Sequence, residues 1–170
     1  MKISRNKLIL SAFGLVVIAL ISFFMWPLSL SIVFDDISDN AVMYIVVTDT
    51  WAEVVGTVVV PRSDVTRYTL ERDSEKFREI QQILDRYSYR RSLRTFFSDA
   101  SMSGNDAGFW LQLYVLEEDA ERRSIITGGT REIIVNTRVY RIGYWRNRAN
   151  TAMMNEIRGV IDELQALPEE

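Results

Sequence analysis

The sequence contains neither cysteine nor histidine, and it has only three prolines. Without cysteine and histidine, thiol nucleophiles, histidine-based triads and the usual His/Cys zinc sites are excluded. Disulfide bonds and a lipid-modified N-terminal cysteine are excluded as well. The chain also lacks the one side chain whose unperturbed pKa lies between pH 5 and 8. We therefore expect no metal site and no cofactor of the common kinds.

Charged residues are absent from a long segment near the start of the chain. Lys2, Arg5 and Lys7 precede this segment, and residues 8–26 form an apolar run with only a few small interruptions. A helix needs roughly 20 mainly apolar residues to cross about 30 Å of hydrocarbon. The run therefore predicts a single transmembrane anchor at residues 8–26, in contact with the lipid bilayer.

A cleaved secretory signal is the alternative interpretation of this segment. The apolar region of such a signal is usually about 7–15 residues long, and this run is longer. Its end, residues 23–27, is bulky, and the best small-residue cleavage point, residues 29–31, lies inside a predicted strand. These features favour an anchor that is not cleaved.

The distribution of cations predicts the orientation of the anchor. The basic residues near the anchor precede it, and the next Lys or Arg is Arg62. Cations near a membrane helix remain on the cytoplasmic side. We therefore expect residues 1–7 to be a cytoplasmic tail and residues 27–170 to form one domain outside the cell membrane.

This outer part is acidic. It holds all 23 carboxylates but 17 of the 20 Lys and Arg residues, which leaves a formal net charge of −6. A protein that binds nucleic acid usually has a basic surface, so nucleic acid is not an expected partner.

The outer part alternates short apolar segments with turn residues. Alternation and β-branched composition predict strands at residues 28–34, 42–47, 54–60, 65–70, 109–116, 124–127, 132–135 and 138–142, with residues 90–97 also extended. Pro61 is expected to end one of these strands, and Asn136-Thr137 is read as a tight hairpin turn.

Two segments have the periodicity of amphipathic helices. The first, ending near Tyr87, has Asp73 or Ser74 as a candidate N-cap, and the second is expected to begin at Asn150 or Thr151. Hairpins dominate, and no regular strand–helix–strand alternation occurs. The pattern predicts an α+β fold in which two amphipathic helices pack on a mainly antiparallel sheet.

Carboxylates cluster at residues 35–39 and 117–121. Paired carboxylates could serve a glycosidase, but adjacent acids in turns point apart and remain hydrated. The polar loop at residues 98–108 offers oxygen ligands, but it lacks the spacing of a calcium-binding loop. We interpret these acids as solvated surface, with an envelope-directed hydrolase as the alternative function.

Arginine combined with tyrosine and tryptophan in two stretches is the strongest candidate for a binding surface. These residue types are enriched at interaction hot spots, and they could also meet anionic headgroups or wall polymers. The opposing interpretation is that the arginines pair with carboxylates while the aromatic rings pack in the core. The candidate binding residues are Arg90, Arg91, Arg94, Arg138, Arg141, Tyr144, Trp145 and Arg146.

Three segments carry a resemblance to a known group of proteins. They are Tyr68-Thr69-Leu70, the helix that continues into residues 87–95, and the hairpin at residues 132–143. Together with the anchor, they resemble small membrane-anchored extracytoplasmic proteins of unknown function from Clostridia-type Gram-positive bacteria. The resemblance covers most of residues 27–165 and implies a bacterial source and a surface location, but no catalytic residue.

We therefore expect a membrane-tethered extracytoplasmic module that is not an enzyme. Its partner would be a neighbouring membrane protein, a peptide or an envelope polymer.

Overall fold

The computed structural model describes residues 5–34, 37, 41–94, 108–116, 123–127, 132–143 and 148–164. Within them it contains four helices and seven strands, in line with the predicted α+β class. The helices are α1 (Arg5–Met25), α2 (Leu30–Phe34), α3 (Glu75–Arg86) and α4 (Arg148–Asp162). The strands are β1 (Val42–Val55), β2 (Val58–Glu71), β3 (Tyr89–Arg91), β4 (Gly108–Leu116), β5 (Arg123–Thr127), β6 (Glu132–Val135) and β7 (Arg138–Ile142).

The strands form one sheet in the order β2-β1-β4-β5-β6-β7-β3. Every neighbouring pair is antiparallel, which confirms the predicted sheet type. The two edges are β2, which follows β1 in a long hairpin, and the short strand β3.

One face of the sheet carries the core. Met43 and Ile45 of β1 lie opposite Val115 and Leu113 of β4, and all four side chains are buried. Residues two apart in a strand share a face, so the predicted alternation holds in these strands. The same apolar cluster includes the buried stripes of α3 and α4, namely Phe77, Ile80, Ile83, Leu84, Met153, Met154, Ile157, Val160 and Ile161. The two predicted amphipathic helices are therefore confirmed.

The start of α3 was correctly anticipated. The Ser74 hydroxyl accepts a hydrogen bond from the Phe77 backbone N–H at 3.2 Å and so caps the first turn. Glu75 follows in that turn, where a negative charge favours the helix dipole. Tyr87 is the C-cap residue.

The segment after Pro27 is not the predicted strand. Residues 30–34 form α2, with Leu30, Val33 and Phe34 buried and Ile32 62% exposed. An i, i+3, i+4 spacing places these three buried side chains on one side of a helix. The alternation predicted that Ile32 would be buried and Val33 exposed, whereas the helix reverses both and packs against α3.

The predicted break at Pro61 is also wrong. Pro61 lies within β2, opposite Ala52 of β1. Proline cannot donate to a strand ladder, but an edge strand tolerates it, and β2 is an edge strand. The three strands predicted between residues 42 and 70 are therefore two long strands, joined by a turn in which Gly56 has a φ of 66°.

The last helix begins earlier than expected. Arg148 is its first residue, so Asn150 lies inside α4 and is not its cap. Asn150 is buried, and its Oδ1 atom accepts a hydrogen bond from the Thr127 hydroxyl at 3.3 Å. The hydrogen bond to Thr127 on β5 therefore explains why an asparagine, which the sequence pattern assigns to a helix end, lies inside α4.

Within the residues that the structure describes, no helix meets the criteria of length and apolarity for a membrane span.

The turn between β6 and β7 is confirmed and is under conformational strain. Asn136 and Thr137 have φ values of 46° and 70°. Asn136 suits this left-handed region, whereas a β-branched threonine does not. Replacing Thr137 with Gly is expected to raise the free energy of unfolding by about 1 kcal/mol. Urea unfolding in detergent micelles measures this change.

Thr137→Ala is the matched control for this turn, because alanine retains a Cβ atom and most of the strain. A gain in Thr137→Ala equal to that of Thr137→Gly would contradict the explanation.

Candidate functional site

The end of α1 lies directly against the edge strand β3. Leu28 and Tyr89 form an antiparallel bridge, with the Leu28 N–H donating to the Tyr89 carbonyl at 2.8 Å and the Tyr89 N–H donating to the Leu28 carbonyl at 3.0 Å. Both residues are buried. The chain therefore leaves α1 and joins the sheet within three residues, without a flexible linker.

Two of the predicted binding arginines contact this end of α1. The Arg91 guanidinium lies 4.2 Å from the centroid of the Phe23 ring, and its Nη1 atom donates to the Phe23 carbonyl at 3.3 Å. The Arg90 Nη1 atom lies 3.6 Å from the Met25 sulfur, and Arg90 is only 7% exposed. Carbonyls in the last turn of a helix lack intrahelical partners and form the negative end of its dipole. Arg91 therefore stabilises the junction between α1 and the sheet through this carbonyl, and Arg90 is buried against the same turn of α1.

The other described arginines of the predicted surface are exposed. Arg141 lies opposite Arg90 in the register of β3 and β7, so these two residues share a face. Arg138 is exposed at the start of β7, and Arg94 is exposed just after β3. Because residues three apart in a strand face opposite sides, Arg138 and Arg141 lie on different faces of the sheet.

The structure thus divides the predicted surface into two faces and does not assemble it into one patch. Tyr144, Trp145 and Arg146 lie outside the described residues. So do the polar loop at residues 98–107 and the acidic turns, apart from Ile37.

Tyr89 connects three elements at this junction. Its ring is buried in the core, and its hydroxyl donates to the Leu84 carbonyl at 2.8 Å, near the end of α3. The pKa of Tyr89 is raised above its ordinary value, mainly because the phenol is buried. The charges of the nearby Asp85 and Tyr87 raise this pKa further. Sequence analysis left open whether the aromatic rings near the arginines bind a partner or pack in the core, and the structure shows that the Tyr89 ring packs in the core.

A shallow groove of about 850 Å³ runs between α3 and α4. Four carboxylates line it, from Glu79, Asp85, Glu156 and Glu163. Lys76 pairs with both Glu79 and Glu163. Burial raises the pKa of Asp85.

Glu156 is held by two partners from α3 and its C-cap. Arg86 Nη2 lies 2.6 Å from Glu156 Oε2, and the Tyr87 hydroxyl donates to Glu156 Oε1 at 2.9 Å. Two of the four groove carboxylates, Glu156 and Glu163, therefore link α3 to the α4 segment, whereas Glu79 pairs with Lys76 within α3. No group of three or more metal-ligating side chains occurs among the described residues.

A second surface was missed by sequence analysis. The tip of the β1–β2 hairpin, residues 51–62, is called the hairpin arm here. Most of its large apolar side chains are exposed, namely Trp51, Val54, Val55, Val58 and Val59, whereas Val60 is half-buried. Their β-branched composition predicted one strand at residues 54–60, but the structure has the hairpin turn at Gly56 inside this segment. Such composition is also typical of buried strands, so no local signal identified the exposure.

The chain was compared with protein families, curated proteins and solved structures. No family model matches it, and neither a curated protein nor a solved structure is similar to it.

The contact between Tyr87 and Glu156 predicts a pH dependence. Burial, and then the hydrogen bond to Glu156, raise the pKa of Tyr87 to about 12. Because this folded-state pKa lies above the ordinary value of 10.0, the contribution to stability is full below pH 10 and is lost as the pH rises towards 12. Urea unfolding of Tyr87→Phe should therefore show a free energy of unfolding that falls less steeply than in the wild type across this range.

At pH 8 the same variant should be destabilised by about 0.5–1.5 kcal/mol, the usual net value of one hydrogen bond. Tyr44→Phe, at a tyrosine 40% exposed on β1, is the control for loss of a hydroxyl and should keep the wild-type stability at pH 8. If Tyr87→Phe keeps the wild-type slope between pH 10 and 12, folding does not raise the pKa of Tyr87.

Proposed function

We propose that the protein is a membrane-tethered extracytoplasmic module that binds an envelope partner and is not an enzyme. The observation that carries this proposal is the surface of α1. Apolar side chains on every side of this helix are exposed, including Leu10 at 73%, Phe13 at 67% and Ile18 at 62%. A helix that is hydrophobic all round normally lies in a protein core or a membrane.

The length of α1 also supports an anchor. Its apolar part, residues 8–25, has 18 residues, which at 1.5 Å per residue correspond to about 27 Å, near the thickness of the hydrocarbon layer. The described residues contain no helix that meets the criteria for a membrane span. The anchor therefore remains a proposal that rests on the apolar run at residues 8–26 and on the exposure of α1.

The junction with β3 supports a rigid connection between this anchor and the domain. The paired backbone hydrogen bonds of Leu28 and Tyr89, with Arg90 and Arg91 against the last turn of α1, restrict rotation at that point. A change in the tilt of the anchor would then turn the whole sheet. A rigid connection of this kind is suited to holding a partner at a fixed distance from the membrane. A flexible linker would be suited to capturing a partner at varying distances.

The exposed arginines remain the proposed contacts for the partner. Arg94, Arg138 and Arg141 are exposed, and Tyr144, Trp145 and Arg146 follow them in the chain. Arg90 and Arg91 contribute by holding the sheet edge to α1. A neighbouring membrane protein or a polymer of the envelope has access to this edge because α1 holds it near the lipid.

The absence of cysteine allows a direct test of topology. In a Gram-positive host, a membrane-impermeant maleimide should label Gln82→Cys, an exposed position on α3, in intact cells. Ser4→Cys, ahead of the anchor, should react only after the cells are made permeable. The protein should also remain in the membrane after extraction with alkaline carbonate.

Labelling of Ser4→Cys from outside, or release by carbonate, would contradict the proposed anchor and its orientation.

The partner surface can be tested with a double variant, Arg138→Ala with Arg141→Ala. After crosslinking in intact cells, mass spectrometry should show recovery of the partner about tenfold lower, a difference equal to about 1.4 kcal/mol. Arg67→Ala, at an exposed arginine on β2, is the matched control and should behave as the wild type. Undiminished recovery of every partner in the double variant would remove these arginines from the proposal.

A further inference from the structure

The hairpin arm extends beyond the strand next to it. β1 pairs with β2 as far as Val55 and Val58, whereas its pairing with β4 ends at Thr50 and Gly108. Among the described residues, the arm is therefore a ribbon of two strands without a third. It lies at the β2 edge of the sheet, whereas α1 meets the opposite edge at β3.

Both faces of this ribbon are apolar at its tip. Val54 lies opposite Val59, and the next pair, Val55 opposite Val58, points to the other face. These four side chains are 52–69% exposed. A soluble domain normally leaves polar side chains on at least one face of a projecting hairpin, so the arm requires a separate explanation.

The arm carries no net charge. Its two charged residues are Glu53 and Arg62, and the Arg62 Nε atom lies 2.6 Å from Glu53 Oε2. Each charge is thus largely compensated by the other. The hairpin arm therefore has no net charge with which to attract a charged partner. Its affinity for a partner would come from apolar contact.

The geometry disfavours two kinds of protein partner. A flat protein surface would cover only one of the two apolar faces. Addition of another strand along β2 is hindered because Pro61 has no N–H to donate and lies on that edge. An environment that surrounds the tip on both faces fits these observations, and the lipid of a bilayer is such an environment.

The ribbon also limits the depth of insertion. Its outer backbone groups have no strand partner among the described residues, and such groups are not tolerated in the hydrocarbon core. Insertion by about 5–10 Å, to the boundary between headgroups and acyl chains, avoids this cost.

We propose that the tip of the hairpin arm inserts its four valines into the interfacial layer of a lipid bilayer, as a second membrane contact besides α1. This inference rests on the proposed function for placing the chain at a membrane. The lipid surface is either the bilayer that holds α1 or an apposed one. Since the arm is neutral, the contact does not depend on anionic headgroups.

The test uses single-cysteine variants of the full chain, each labelled with the polarity-sensitive fluorophore NBD. Val55→Cys reports the tip, Val16→Cys reports α1, and Gln82→Cys reports an exposed position on α3. The labelled proteins are reconstituted in phosphatidylcholine vesicles. A phosphatidylcholine with a nitroxide near the headgroup end of its acyl chain is placed either in these vesicles or in added protein-free vesicles.

We expect the Val55 probe to show a blue-shifted emission. We also expect it to lose intensity when the nitroxide lipid is present either in the vesicles that hold the protein or in the added protein-free vesicles. The Gln82 probe should show neither change. High salt should leave the quenching at Val55 undiminished, because the arm has no net charge. A loss of quenching in high salt would assign the attraction to charged groups and overturn the inference.

A second variant tests whether both faces take part. Val54→Asp with Val59→Asp, added to the Val55 probe, places charges on the face opposite the label and should abolish the quenching. These positions are exposed, so the fold should be retained, which circular dichroism checks. Undiminished quenching in this variant would overturn insertion through both faces.

The possible failures are distinguishable. A blue shift at Val16 without quenching at Val55 in either arrangement would overturn the inference and leave the proposed anchor intact. No blue shift at Val16 would overturn the proposed anchor. A blue shift at Val55 that depends on protein density, without nitroxide quenching, would identify a second copy of the chain as the occupant and overturn the lipid contact.

Discussion

The contacts of the buried Tyr89 are the interaction on which the packing of α1, α3 and the sheet depends. Its backbone pairs with Leu28, its hydroxyl binds the Leu84 carbonyl, and its strand forms the edge of the sheet against β7. One residue thus joins the chain leaving α1, the end of α3 and the sheet. These three contacts are buried or lie within the backbone, so the core holds α1 to the domain together with Arg90 and Arg91 at its last turn.

The core determines which surfaces remain for function. α3 and α4 form a single apolar cluster with one face of the sheet, and Lys76, Arg86 and Tyr87 of the α3 segment contact Glu163 and Glu156 of the α4 segment. These polar contacts stabilise the helix pair. The exposed arginines near β3 and the apolar hairpin arm are the features of the described surface that the core does not explain.

Much of the fold was accessible from the sequence because its signals are local. Ser74 as a cap, the stripes of α3 and α4, and the Asn136-Thr137 turn each depend on residues close together in the chain. The errors occurred where a distant contact decided the outcome. Packing against α3 made a helix of residues 30–34, and an edge position allowed Pro61 inside a strand. The candidate site is a mixed case: the alternation within β7 already places Arg138 and Arg141 on opposite faces, whereas the contacts of Arg90 and Arg91 with α1 depend on distant packing.

By itself, the sequence determined the chemistry that is excluded, the apolar run near its start and the α+β class with an antiparallel sheet. These follow from residue types and from periods of 2 and 3.6, which are properties of a single segment. Only the tertiary structure decided that Arg90 and Arg91 hold α1, that Asn150 is buried, and that valines typical of a core lie exposed on an arm. The physical reason is that burial depends on which segments meet, and the pattern within one segment does not specify its neighbours.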